Sequence, residues 1–120
     1  MANTYQKGDH DIRPWGTWEV LDGGENFCVK RIKVKPKSML SLQLHHFRGE
    51  HWVIIQGTGF VTLDEKIFEL KSDEAVYIPA NTKHRIENRS NEPLELIEIQ
   101  TGENLDENDI VRFEDIYGRV

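Results

Sequence analysis

Most apolar runs in this chain are short and alternate with a period of two, and no stretch sustains the longer period of an amphipathic helix. β-type runs are read at 17–21, 27–34, 40–46, 51–56, 59–63, 66–70, 75–78, 84–88 and 94–101. Turn-forming clusters separate them: Asp22-Gly23-Gly24-Glu25, Gln56-Gly57-Thr58-Gly59, Leu63-Asp64-Glu65-Lys66 and Ser90-Asn91-Glu92-Pro93. Many short strands at this spacing predict an all-β chain folded as a double-sheet jelly roll. The segment 105–120 is read as a short helix beginning near Asp109 or Glu114, with Tyr117-Gly118-Arg119 returning over the barrel.

A chain of 120 residues and 14.0 kDa has room for one domain with a modest core. Its net charge of -6 and pI near 5.3 argue against nucleic acid and anionic membranes, both of which select basic surfaces. The single cysteine, Cys28, rules out an internal disulfide framework and reads as a small buried hydrophobe. Residues 1–11 are polar, without the apolar core of a signal peptide, and no run reaches membrane-spanning length. A soluble, reducing, cytoplasmic setting is the expectation.

Chemistry concentrates in two pieces. In Ser41-Leu42-Gln43-Leu44-His45-His46-Phe47-Arg48-Gly49-Glu50-His51-Trp52, Gln43 and His45 share one face of a strand, and Glu50 returns toward that face after a turn. Pro79-Ala80-Asn81-Thr82-Lys83-His84 then supplies His84. Gln43, His45, Glu50 and His84 form a mixed oxygen and nitrogen donor set for one borderline divalent cation: zinc first, with cobalt, nickel or manganese as alternatives. Gln43 reads either as a weak neutral ligand or as a hydrogen-bond donor behind the ligands. His46 and His51 have the opposite parity and are read as packing or surface residues. Leu40, Leu42 and Leu44 would form an apolar outer face that calls for a cover, from the N-terminal strands or from a second subunit.

These residues carry a resemblance. Gln43-x-His45-x4-Glu50-x6-Gly57 resembles the first cupin motif with Gln in place of its first His. Asp73, Pro79, Asn81, His84 and Asn88 follow the second, with Asp73 and Asn81 replacing its two glycines. Arg13-Pro14-Trp15-Gly16, Val29-Lys30-Arg31-Ile32, Leu40 to Gln43, Arg48-x-Glu50-His51-Trp52, Gly57-Thr58, Tyr77-Ile78-Pro79 and Glu114-Asp115-Ile116-Tyr117-Gly118-Arg119 extend the match over residues 12–119. The chain is similar to the type II phosphomannose isomerases, known mainly as the C-terminal domain of bifunctional mannose-1-phosphate guanylyltransferases. Lys37 stands where that family has Gly, and Phe47 where it commonly has a third His. The resemblance implies a cupin double-stranded β-helix over 12–120 behind the polar segment 1–11, a bound divalent metal, a phosphorylated sugar as partner, and a homodimer. It also implies interconversion of mannose 6-phosphate and fructose 6-phosphate, with the isomerase half alone present in a chain this short.

That reaction needs a base and a cation beside the metal. Glu98 is the candidate base if its face of the 94–100 run points inward, and a solvent-facing residue if it does not. Arg48, Arg119 and Lys30 are candidates for holding the phosphate, against structural ion pairs for the two arginines and a solvated, edge-protecting strand for Lys30 with Arg31, Lys33 and Lys35. Trp52 and Tyr77 are given inward parity and read as core. A non-catalytic sugar-phosphate or sugar-nucleotide binding cupin is the second reading. A cupin dioxygenase is weakened by Gln43, where iron oxygenases of this fold place His.

Overall fold

Among the described residues the alternation becomes fourteen strands: β1 Ala2–Asn3, β2 His10–Arg13, β3 Gly16–Gly23, β4 Phe27–Val34, β5 Ser38–Met39, β6 Leu42–Leu44, β7 Gly49–Gln56, β8 Gly59–Leu63, β9 Lys66–Leu70, β10 Ala75–Ile78, β11 His84–Asn88, β12 Leu94–Thr101, β13 Asn104–Leu105 and β14 Val111–Glu114. The computed structural model describes residues 2–118, so Arg119 lies outside the described residues. One antiparallel sheet runs β10-β7-β12-β4-β3-β2; the facing one runs β14-β6-β11-β8-β9, with β5 beside β11. β1 pairs β13 in parallel. Two facing sheets of short antiparallel strands make a jelly roll, and among the described residues there is no helix, least of all one able to cross a membrane.

The inner face of the larger sheet changes character along its strands. Reading β12 inward gives Leu94, Leu96, Glu98 and Gln100; reading β4 backward gives Val34, Ile32, Lys30 and Cys28; β7 backward gives Ile54, Trp52 and Glu50. The apolar ends pack with Trp15, Val61, Leu70, Ile78 and Ile86 into the main core. A smaller cluster of Tyr5, Val20, Cys28 and Leu105 closes the other end. Lys30, Glu98, Glu50 and Gln100 therefore sit on a polar belt between two apolar plugs, where the fold holds them rigidly.

Turn chemistry fixes the connections. Gly57, at φ +88°, could not carry a Cβ, which would fall 2.6 Å from the Pro93 carbonyl oxygen. Asn88, which ends the second motif, is fully buried; its amide donates to the Val34 and Glu92 carbonyls and its oxygen accepts from Ser90, so it pins the 90–93 turn.

Several expectations change. The run 40–46 is broken, β5 ending at Met39 and β6 starting at Leu42, and Leu40 turns onto the core rather than outward. The expected C-terminal helix is instead the turn 106–110 and strand β14, because Val111 and Phe113 alternate with Arg112 and Glu114 and the strand finds an edge at β6. The segment 2–11 is tied in by β1 and by Tyr5, which is only 8 % exposed. Tyr77 points outward and is half-exposed, since it pairs opposite His51 while Ile78 pairs opposite Glu50. Lys30 is buried on a strand interior to its sheet, not on an exposed edge.

Candidate metal centre

His45 follows β6, Glu50 lies near the start of β7 and His84 begins β11. Folding brings one ligand atom of each within 4.8 Å of the others, and all three side chains are buried. His45 Nε2 lies 3.2 Å from one Glu50 oxygen and His84 Nε2 3.8 Å from the other. Gln43 is the cross-strand neighbour of His84, is half-buried and lines the same cavity, with its amide nitrogen 3.3 Å from the Ser41 carbonyl. His46 and Phe47 are exposed, His46 bonding Asn81, and His51 leans on Tyr77.

The donor set fits a divalent metal. His45 Nδ1 donates to the Asp109 carbonyl at 2.7 Å and His84 Nδ1 to the Thr82 carbonyl at 2.9 Å. Each carbonyl fixes the proton on Nδ1, so a neutral ring presents its Nε2 lone pair to Glu50. Lone pairs facing a carboxylate at this range are stable with a cation among them. Burial, outweighing Glu50, holds His84 below the ordinary imidazole range. Burial pushes Glu50 up, but its neighbours, the Arg48 guanidinium first among them, bring it well below the usual carboxylate range. Neutral imidazole and ionised carboxylate are the states in which both bind metal.

The supports were harder to find in the sequence. Asp109 accepts the His46 and Phe47 backbone N–H groups at 2.9 and 3.0 Å, while its carbonyl holds His45. Asn81, at φ +63°, donates its N–H to the His45 carbonyl at 2.8 Å, joining the second motif to the first. Trp52 Nε1 donates to Glu50 at 3.0 Å. In the sequence Asp109 reads only as a helix start, because nothing local links it to a loop about sixty residues earlier.

Arg48 is buried with Nε 2.9 Å from Glu50, a terminal nitrogen 3.2 Å from His45 and the other 3.4 Å from the Asp106 carbonyl. Its guanidinium is directed to Glu50 and His45. Burial disfavours its charge but Glu50 outweighs that, so its ionised form is strengthened. Glu98 faces inward, accepts from Gln100 and lines the cavity with the triad. Burial, and then Glu50, raise its carboxyl above the usual range. Lys30 lies beside Glu98 on the neighbouring strand. Cys28, its thiol pushed up by burial to about 11, is inert core.

The cavity therefore joins a metal-ready triad to a separate buried carboxyl, inside a jelly-roll barrel: the arrangement of a cupin. The chain belongs to the mannose-6-phosphate isomerase C-terminal family, which matches residues 2–115. It is 53 % identical over 107 residues to the alginate biosynthesis protein AlgA of Pseudomonas syringae pv. tomato, covering 89 % of this chain and 22 % of that protein. It is 50 % identical over 108 residues to the mannose-1-phosphate guanylyltransferase ManC of Salmonella typhimurium, covering 90 % of this chain and 22 % of that one. The chain thus spans less than a quarter of these relatives. Among solved structures, an oxalate decarboxylase of Lactobacillus farciminis superposes with TM-score 0.76 at 17 % identity, over 88 % of this chain and 33 % of that one. A cupin-superfamily sugar phosphate isomerase of Silicibacter pomeroyi gives 0.65 at 20 % identity, over 71 % and 58 %. At these identities the two structures bear on fold alone.

Proposed function

We propose that this chain is a metal-dependent aldose–ketose isomerase that interconverts mannose 6-phosphate and fructose 6-phosphate. The observation that carries the reading is the pairing of the triad with Glu98 in one cavity, in a chain of this family. His45, Glu50 and His84 would hold the ion, with Gln43 beside them. When bound, the metal supplies Lewis acidity toward the sugar's carbonyl and hydroxyl oxygens. Glu98 takes the carbon-bound proton from one carbon and returns it to its neighbour; a carboxyl raised above its ordinary range suits both halves of that transfer. Trp52 and Arg48 keep Glu50 on the ligand side, so the two carboxylates do different work. On sequence grounds Arg119 remains a phosphate-side candidate.

A coupled assay with mannose 6-phosphate tests the proposal. Glu98→Gln should lower turnover by about 10²–10⁴-fold while leaving metal content unchanged. Stripping the metal with a chelator should abolish turnover, and zinc should restore it. Binding of sugar phosphate without turnover by the wild-type chain would instead identify a binding cupin.

A further inference from the structure

The polar belt holds one cation with an unusual environment. Lys30 is only 7 % exposed, and its Nζ lies 3.8 Å from the centre of the Tyr5 ring and 4.4 Å from that of Trp18. The two rings meet edge to face at 6.1 Å, so they wall the ammonium on two sides. Among the described residues no acceptor lies within hydrogen-bonding distance of Nζ and no carboxylate forms an ion pair with it. Aromatic faces attract an ammonium but give its N–H groups no lone pairs. A buried cation so placed is suited to an anionic oxygen brought in by a ligand.

Its position relative to the triad follows from strand register. Trp52, Glu98 and Lys30 form one row across β7, β12 and β4. Two inter-strand spacings separate the ends of that row by about 9–10 Å. Glu50 precedes Trp52 by two residues on the same inward face, and Glu98 lies midway. The cavity thus offers a metal end, a carboxyl in the middle and a boxed cation at the far wall, spaced for a six-carbon chain with an anionic terminus. Arg48 does not compete for that terminus, since its nitrogens are committed to Glu50, His45 and Asp106.

We propose that Lys30, boxed by Tyr5 and Trp18, is the anchor for the substrate's phosphate, and that the N-terminal segment completes this subsite by supplying Tyr5. The inference rests on the isomerase reading for the identity of the sugar, though not for the anion. Its probe is glucitol 6-phosphate, an open-chain sugar phosphate that cannot isomerise, titrated by calorimetry into the zinc-loaded chain. Lys30→Met, which keeps the packed stem, should weaken binding roughly 10- to 100-fold, the effect of losing a charge-assisted hydrogen bond, with zinc content unchanged. Lys30→Arg should retain most of the affinity. Wild-type affinity in Lys30→Met, or equal loss in both variants, overturns the assignment. A wild-type chain that binds the probe through Lys30 but does not convert mannose 6-phosphate would defeat the isomerase reading and leave this one standing. An active enzyme whose Lys30→Met variant keeps its KM would do the reverse.

Discussion

Glu50 and Glu98 are buried carboxylates on adjacent strands of one sheet, yet their neighbours drive them apart: the groups around Glu50, led by the Arg48 guanidinium, outweigh burial there, whereas burial dominates at Glu98. A carboxyl whose folded value is raised stabilises the fold fully below its unfolded value, and loses that contribution as pH rises through the folded one. Glutamine keeps the neutral polar shape without titrating. In metal-free protein, Glu98→Gln should therefore gain stability relative to wild type between about pH 4 and about pH 8. Urea unfolding at both values checks this; an equal difference at the two would mean that Glu98 titrates as an ordinary carboxylate. The clustering of His45, Glu50 and His84 is legible in the sequence, because the three sit in spaced motifs. Where the resembled family has glycine, Lys37, Asp73 and Asn81 all adopt positive φ, at 57°, 73° and 63°, keeping the conformation for which glycine is the easier choice. Asp109 was not legible, since its value comes from two backbone N–H groups and an imidazole far away in sequence.

At the scale of elements, alternation exposed most strands but misjudged the segment after β13. Asp106-Glu107-Asn108-Asp109 suits a helix N-terminus and a turn equally well, and only the bare edge of β6 and the loop 45–48 decide between them. The outcome is a strap whose Asp106 carbonyl faces Arg48 and whose Asp109 grips the loop bearing His45. Outer hydrogen bonds of this kind commonly affect metal affinity by about 10–100-fold. Asp109→Ala should weaken zinc binding by that order, whereas His46→Ala, on an exposed ring, should leave it near wild type. Competition with a chromogenic chelator measures both, and equal losses would mean that the loop as a whole, not the strap's grip, sets the affinity.

Over the whole molecule, the outer face of the larger sheet carries Val29, Val53, Tyr77, Ile97 and Ile99, linked by register, with Ile55 two residues beyond Val53, and Ile55 and Tyr77 are about half exposed. This apolar surface is broader than the pair Leu42 and Leu44 beside β14, and it favours a second copy of the chain as its cover. We predict a homodimer that Ile97→Glu converts to monomer without loss of metal; light scattering decides it, and a wild-type monomer at micromolar concentration would refute the prediction. The parallel pairing of Ala2 with Asn104 has a consequence in time. Synthesis delivers Tyr5 well before its packing partner Leu105, and His45 well before Asp109, whose carbonyl holds its ring. On a ribosome the triad residues thus exist before the strap that aims His45. Metal capture by the proposed triad would then wait for the strap that carries Asp109, and a nascent chain still lacking it would be a poor competitor for the ion.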